Sequence, residues 1–194
     1  AALSKRIVLR AGAEQFDEAA AEAQRMMTDF PDEAATVIDS VLTDLDRQAD
    51  DLRQQAAVEV VTTKRQALTR RATAVATTAA ALAQLLVDWA DGQGFEDDRM
   101  LPYRLLLAKS KLLAGNAAEA VAYLEPLLAA YGDDAEVIHQ SAEAHFALGT
   151  DAALATAATL FSTLIQGLPV NDDGTYPPRY YNAWMRYLQI SEKR

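Results

Sequence analysis

The apolar positions between Pro31 and Gly92 recur in alternating steps of four and three residues. Ile38, Leu42, Leu45, Ala49, Leu52 and Ala56 form one series; Leu68, Ala72, Val75, Ala79, Leu82, Leu86 and Trp89 form a second. That rhythm holds apolar side chains on a narrow stripe of an α-helix and packs it along a coiled-coil-like seam. Neither proline nor glycine interrupts the stretch. The two series differ in phase, because the same steps counted on from Ala56 reach position 70 rather than 68, and the break falls in "VEVVTTKRQ", residues 58–66. Two arrangements fit: an antiparallel hairpin turning at Val58–Thr63, or one helix of roughly 60 residues, on the order of 90 Å, carrying a phase shift. Tight turns draw on glycine, asparagine or proline, and residues 58–66 hold none, which favours the continuous or gently bent helix.

After residue 100 the pattern becomes repetitive. "LLLAKSKLLAGNAAEAVAYLEPLLAAYGDD" (105–134) aligns with "HQSAEAHFALGTDAALATAATLFSTLIQGLPVND" (139–172), with Gly115 and Gly149 34 residues apart. Ala108 and Ala142 stand seven positions before these glycines and let a neighbouring helix approach. Each glycine suits a helix end in the left-handed conformation that a Cβ resists. Ala120, Leu124 and Leu127 supply the apolar face of the following helix in the first copy, and Ala157, Phe161 and Leu164 in the second, which Pro169 ends. The order of small residue, turn glycine, alanine, large apolar residue and closing proline resembles the tetratricopeptide repeat. "FDEAAAEAQRMMTDFPDEA" is similar to the second helix of such a unit, with Ala19, Ala23 and Met26 inside and Pro31 closing it; residues 1–12 are then its first helix. The sequence departs from the family where Arg104, Ile138, Lys111 and His145 replace usual aromatics, and through residues 32–100.

The expected fold is therefore all-α: a tetratricopeptide-like helical-repeat solenoid with a long helix or helical hairpin in its middle. Its expected parts are a helix pair over 1–31, the long element over 32–91, and repeats with a capping helix over 92–194. The resemblance implies a concave groove lined by first helices. Its groove positions are Leu105, Lys109 and Leu112 in one copy, and Glu136, His139, Glu143 and Phe146 in the next. Of the family's carboxylate-clamp positions only Lys109 fits, against Leu105, Glu136, Gln140 and Glu143. The groove thus points to a partner with basic or apolar side chains.

"PPRYYNAWMRYLQI" gathers aromatics where the next first helix begins, and prolines suit a helix start. Helical spacing predicts Tyr180, Trp184, Tyr187 and Leu188 as one core face against the Phe161–Leu164 helix, with Tyr181 on the groove side as a candidate contact.

A formal net charge of −10 argues against a duplex-binding surface. Lys64, Arg65, Arg70 and Arg71 are a local exception that reads first as a solvated helix surface, with a nucleic-acid or lipid patch the other reading. The absence of cysteine removes thiolate chemistry and disulfides. With no run of about 20 apolar residues, no membrane span is expected. The opening "AALSKRIVLRAG" lacks a signal-peptide layout and an initiator methionine, which suggests an excised or processed segment and leaves the compartment open.

Catalytic chemistry finds no constellation. His139 and His145 are six apart and point to different helix faces, glycine-rich phosphate loops are absent, and "NDDGTY" lacks the ligands of a calcium loop. Asn171 and Asp172 read as turn residues before Gly174. Asp50/Asp51, Asp97/Asp98 and Asp133/Asp134 read as helix caps and dipole partners. The expectation is a non-catalytic scaffold that binds a protein or peptide in its groove, without cofactor, metal or nucleic acid. The alternative is an assembly component that oligomerises through residues 38–89.

Overall fold

The computed structural model describes every residue except 1–4, 8, 11–12, 14, 170–173 and 193–194. Its helices are α1 (Phe16–Asp29), α2 (Pro31–Val58), α3 (Thr62–Gly92), α4 (Asp97–Leu113), α5 (Ala117–Ala130), α6 (Ala135–Leu148), α7 (Asp151–Gly167) and α8 (Pro178–Glu192). No strand occurs among the described residues. Two compact units divide the chain, Ala1–Gly115 and Asn116–Arg194.

In the first unit the 4–3 stripes close on each other. Ile38, Leu42, Leu45, Ala49, Leu52 and Ala56 of α2 are buried, as are Ala72, Val75, Ala79, Leu82 and Leu86 of α3. The central segment is therefore a hairpin, and the single continuous helix favoured by the turn chemistry is corrected. Glu59 (φ −76°, ψ 122°) and Val61 (φ −77°, ψ 112°) take extended backbone, which β-branched valines favour. No left-handed residue is needed, so glycine and asparagine are dispensable. The Glu59 carboxylate accepts the Val61 N–H at 2.9 Å. Two facing apolar stripes then bury each other, whereas one long helix would leave both in water.

α1 packs on α2 and α3, burying Ala19, Ala23 and Met26 as their spacing predicts. Pro31 opens the first turn of α2 directly after Phe30, so the residue that ends α1 also starts its neighbour. Of the helix expected over 1–12, residues 5–7 and 9–10 are helical, and 1–4, 8 and 11–12 lie outside the described residues. α4 packs along α3 and buries Met100, Leu107 and Ala108, and an aromatic turn joins the two, with Trp89–Phe95 and Phe95–Tyr103 centroids 5.7 and 6.5 Å apart.

α3 has the length and composition of a membrane-crossing helix, and half of its most apolar window is buried within the chain. It carries no unbroken apolar run, because threonines interleave its alanines, and this corrects the expectation that no helix reaches membrane-spanning length. Ala72 through Val87 carries no charge, and the hydroxyls of Thr69, Thr73, Thr77 and Thr78 donate to carbonyls four residues back.

In the second unit α5 to α8 pack in succession, each on the one before. Gly115 (φ 89°) and Gly149 (φ 71°) both take the left-handed conformation expected of them. Ala120, Leu124, Leu127, Ala142, Ala157, Phe161 and Leu164 are buried at the positions their spacing predicts, as is Ala108 in the first unit. The Asp134 carboxylate accepts the amides of Glu136 and Val137 to cap α6, and the Thr150 hydroxyl caps α7. Asp97 and Asp98 occupy the first turn of α4 as expected, whereas Asp50 and Asp51 sit inside α2, where Asp50 pairs with Arg53. Asn171 and Asp172 lie outside the described residues.

Two expectations about the second unit change. The unit boundary at Gly115/Asn116 cuts the 105–134 copy between its helices, because α4 finds its apolar partner in α3. The expected boundaries at 31/32 and 91/92 instead fall inside the first unit. On α8 the core face is Ala183, Tyr187 and Ile190, packed with Ile138, Ala142, Phe161 and Leu164. Trp184 and Leu188 face outward, at 38% and 49% exposure. The small Ala183 wins the inward position because it lets α8 approach α7, which Trp184 would hold off.

Candidate binding face on α6 and α8

Spacing of three and four residues places Glu136, His139, Gln140, Glu143 and Phe146 along one side of α6. Arg179, Asn182 and Arg186 form the matching line on α8. Arg179 pairs with Glu136, whose other oxygen accepts the Gln140 side-chain amide at 3.0 Å. One heptad on, Arg186 Nε donates to Glu143 Oε1 at 3.0 Å, and its guanidinium lies 4.6 Å from the Phe146 ring centroid. The two ion pairs repeat because both helices advance seven residues between rungs. Four of the expected groove residues are thus brought onto one face, and α8 neutralises both carboxylates.

His139 is half-buried between the rungs. Beside it opens a cavity of about 380 Å³ lined by His139, Leu168, Pro177, Pro178, Arg179 and Asn182. Burial pushes the His139 pKa below the usual 6.5; Glu143 and Glu136 oppose that shift, while Arg179 and Arg186 reinforce it. The ring is therefore a neutral donor and acceptor at neutral pH. His145 looks the other way, toward Glu125 of α5; burial lowers its pKa too, and its Nδ1 has no hydrogen-bond partner. The arrangement can hold an apolar side chain against the two prolines while His139 and Asn182 offer polar atoms at the rim.

The first groove set fares differently. Leu105 is buried in the first unit. Lys109 Nζ is bound at 2.8 Å by the buried carboxylate of Asp46, and Leu112 is half-buried. Leu105 is thus taken up by the packing of the first unit, while Lys109 stays exposed and pairs with Asp46. Tyr181 is 52% exposed, at the end of a ring series in which Tyr176 and Tyr180 stack with centroids 3.8 Å apart and Tyr180 meets Tyr181 edge-on at 5.7 Å. Of the seam residues offered for oligomerisation, the α2 series and the Ala72 to Leu86 members of the α3 series are buried, while Leu68 and Trp89 are half-buried. The aromatic pattern of α8 does not single out Arg179, Asn182 and Arg186. Their signal was the shared seven-residue spacing with Glu136 and Glu143.

No protein family, curated protein or solved structure compared with the chain matches it.

Proposed function

We propose that the chain is a non-catalytic, tetratricopeptide-like interaction module whose second unit binds a peptide or partner helix across α6 and α8. The observation that carries this reading is the cavity of about 380 Å³ beside His139, bounded by two prolines and Leu168 on its apolar side and by Arg179 and Asn182 on its polar side. A concave, mostly apolar site with a few convergent polar groups is the usual form of a recognition pocket. Because Arg179 and Arg186 already neutralise Glu136 and Glu143, the partner supplies an apolar side chain for the notch and backbone groups for His139 and Asn182, rather than a run of basic residues. Tyr181 lies on the adjoining exposed face of α8 and extends the contact.

The test is selection from a random displayed-peptide library on the intact chain, followed by titration of the selected peptides. Peptides with an apolar anchor are expected, and His139→Ala with Asn182→Ala should weaken them about tenfold or more while thermal unfolding is unchanged. Selected peptides that bind this double variant as tightly as the parent chain would place recognition elsewhere.

A further inference from the structure

The apex of the α2–α3 hairpin is apolar and uncovered. Val58, Val60 and Val61 are 80%, 89% and 49% exposed, the most uncovered cluster of aliphatic side chains among the described residues. Backbone preference alone does not call for an apolar residue here, since threonine would supply the same β-branching with a polar group. The neighbouring surface is as unusual in charge. From residue 58 through 87 four cations (Lys64, Arg65, Arg70, Arg71) stand against one carboxylate (Glu59), a local net of +3 in a chain of net −10. Lys64, Arg65 and Arg70 are exposed and form no ion pair among the described residues.

The geometry orders these features by depth. Measured along α3 from Thr62, Lys64 and Arg65 sit about 3–5 Å behind the apex, and Arg70 about 12 Å behind it. An amphipathic element at a bilayer buries its apolar part about 5–10 Å into the headgroup and acyl boundary. Valines at that depth leave Lys64 and Arg65 among the phosphates and Arg70 within about one to two Debye lengths of the surface. The amides that open α3 have no side-chain cap and face the same apex. The carbonyl end of α2 lies beside them, so the two helix dipoles largely offset and the cations carry the attraction. A structured polyanion such as RNA is matched by the cations but gives the three valines nothing to do, and the apex has no aromatic ring for base stacking.

We propose that the α2–α3 apex docks peripherally on an anionic lipid surface, inserting Val58, Val60 and Val61 while Lys64, Arg65 and Arg70 engage the headgroups. The surface in question is an acidic-phospholipid bilayer.

Vesicle flotation of the full chain decides it. The chain is expected to float with phosphatidylcholine–phosphatidylserine vesicles and not with phosphatidylcholine alone, and to be released by high salt. Lys64→Gln with Arg65→Gln should lower partitioning about tenfold or more. Val58→Ser with Val60→Ser should lower it about tenfold, with unfolding unchanged because these side chains are exposed. Since the chain has no cysteine, Val60→Cys takes a single environment-sensitive dye; its emission should shift to the blue on anionic vesicles, while a dye at Thr77→Cys should not respond. Failure to float with anionic vesicles overturns the proposal. So does binding indifferent to the valine pair, which would mark a general polyanion site, or binding that resists high salt and shifts the dye at position 77, which would mark α3 as a membrane-crossing helix.

Discussion

Phe161 is fully buried where α6, α7 and α8 meet, while Trp184 stands on the outside of α8. Truncation should therefore separate them: Phe161→Ala is expected to cost about 3–5 kcal/mol and Trp184→Ala under about 1 kcal/mol, read from denaturant midpoints at constant slope. Gly149 tests backbone rather than packing. An added Cβ meets nothing closer than 3.8 Å, so Gly149→Ala should cost about 1–2 kcal/mol from the left-handed φ of 71° alone. The histidines set a pH dependence. Burial lowers both His139 and His145 below 6.5 in the folded chain, so below that value the unfolded chain binds more protons. Stability should fall as pH drops from 6.5 toward the folded values and stop falling on their account below them. Thermal melts across this window should show the slope, and replacing both histidines by glutamine should flatten it.

At the scale of elements, the hairpin shows where sequence pattern stops. The 4–3 stripes were legible, and every member of the α2 series is buried. Whether they face each other or a second chain was not legible, because a stripe records only the need for a partner. Turn chemistry misled, since it presumes a compact reversal with left-handed residues, whereas Glu59–Val61 reverse the chain through extended backbone and a side-chain acceptor. Leu45 is buried in this seam. Leu45→Ala should accordingly cost about 2–5 kcal/mol in unfolding experiments, with no change in molar mass by light scattering. A dimer that dissociates on this substitution would restore assembly through residues 38–89.

Across the whole molecule, the division at Gly115/Asn116 assigns α5 to α8 a core of their own around Phe161. A fragment spanning 116–194 is expected to keep a helical circular dichroism spectrum and melt cooperatively, and the intact chain to give two calorimetric transitions. A fragment that is random coil would show that the two units fold only together.

The sequence by itself determined the all-helical character, the left-handed glycines at 115 and 149, and most buried positions of the apolar stripes, because periodicity and backbone permissiveness act within a few residues. It also placed Glu136, His139, Glu143 and Phe146 on one side of α6. Only the tertiary structure decided that Arg179 and Arg186 answer those carboxylates, that Lys109 belongs to Asp46, and that Ala183 rather than Trp184 faces inward. Each of these depends on which helix comes to lie opposite. A carboxylate, a cation or an aromatic ring carries its chemistry in the sequence, but its partner is fixed by packing between segments as far as 60 residues apart, as Arg53 and the Leu113 carbonyl are.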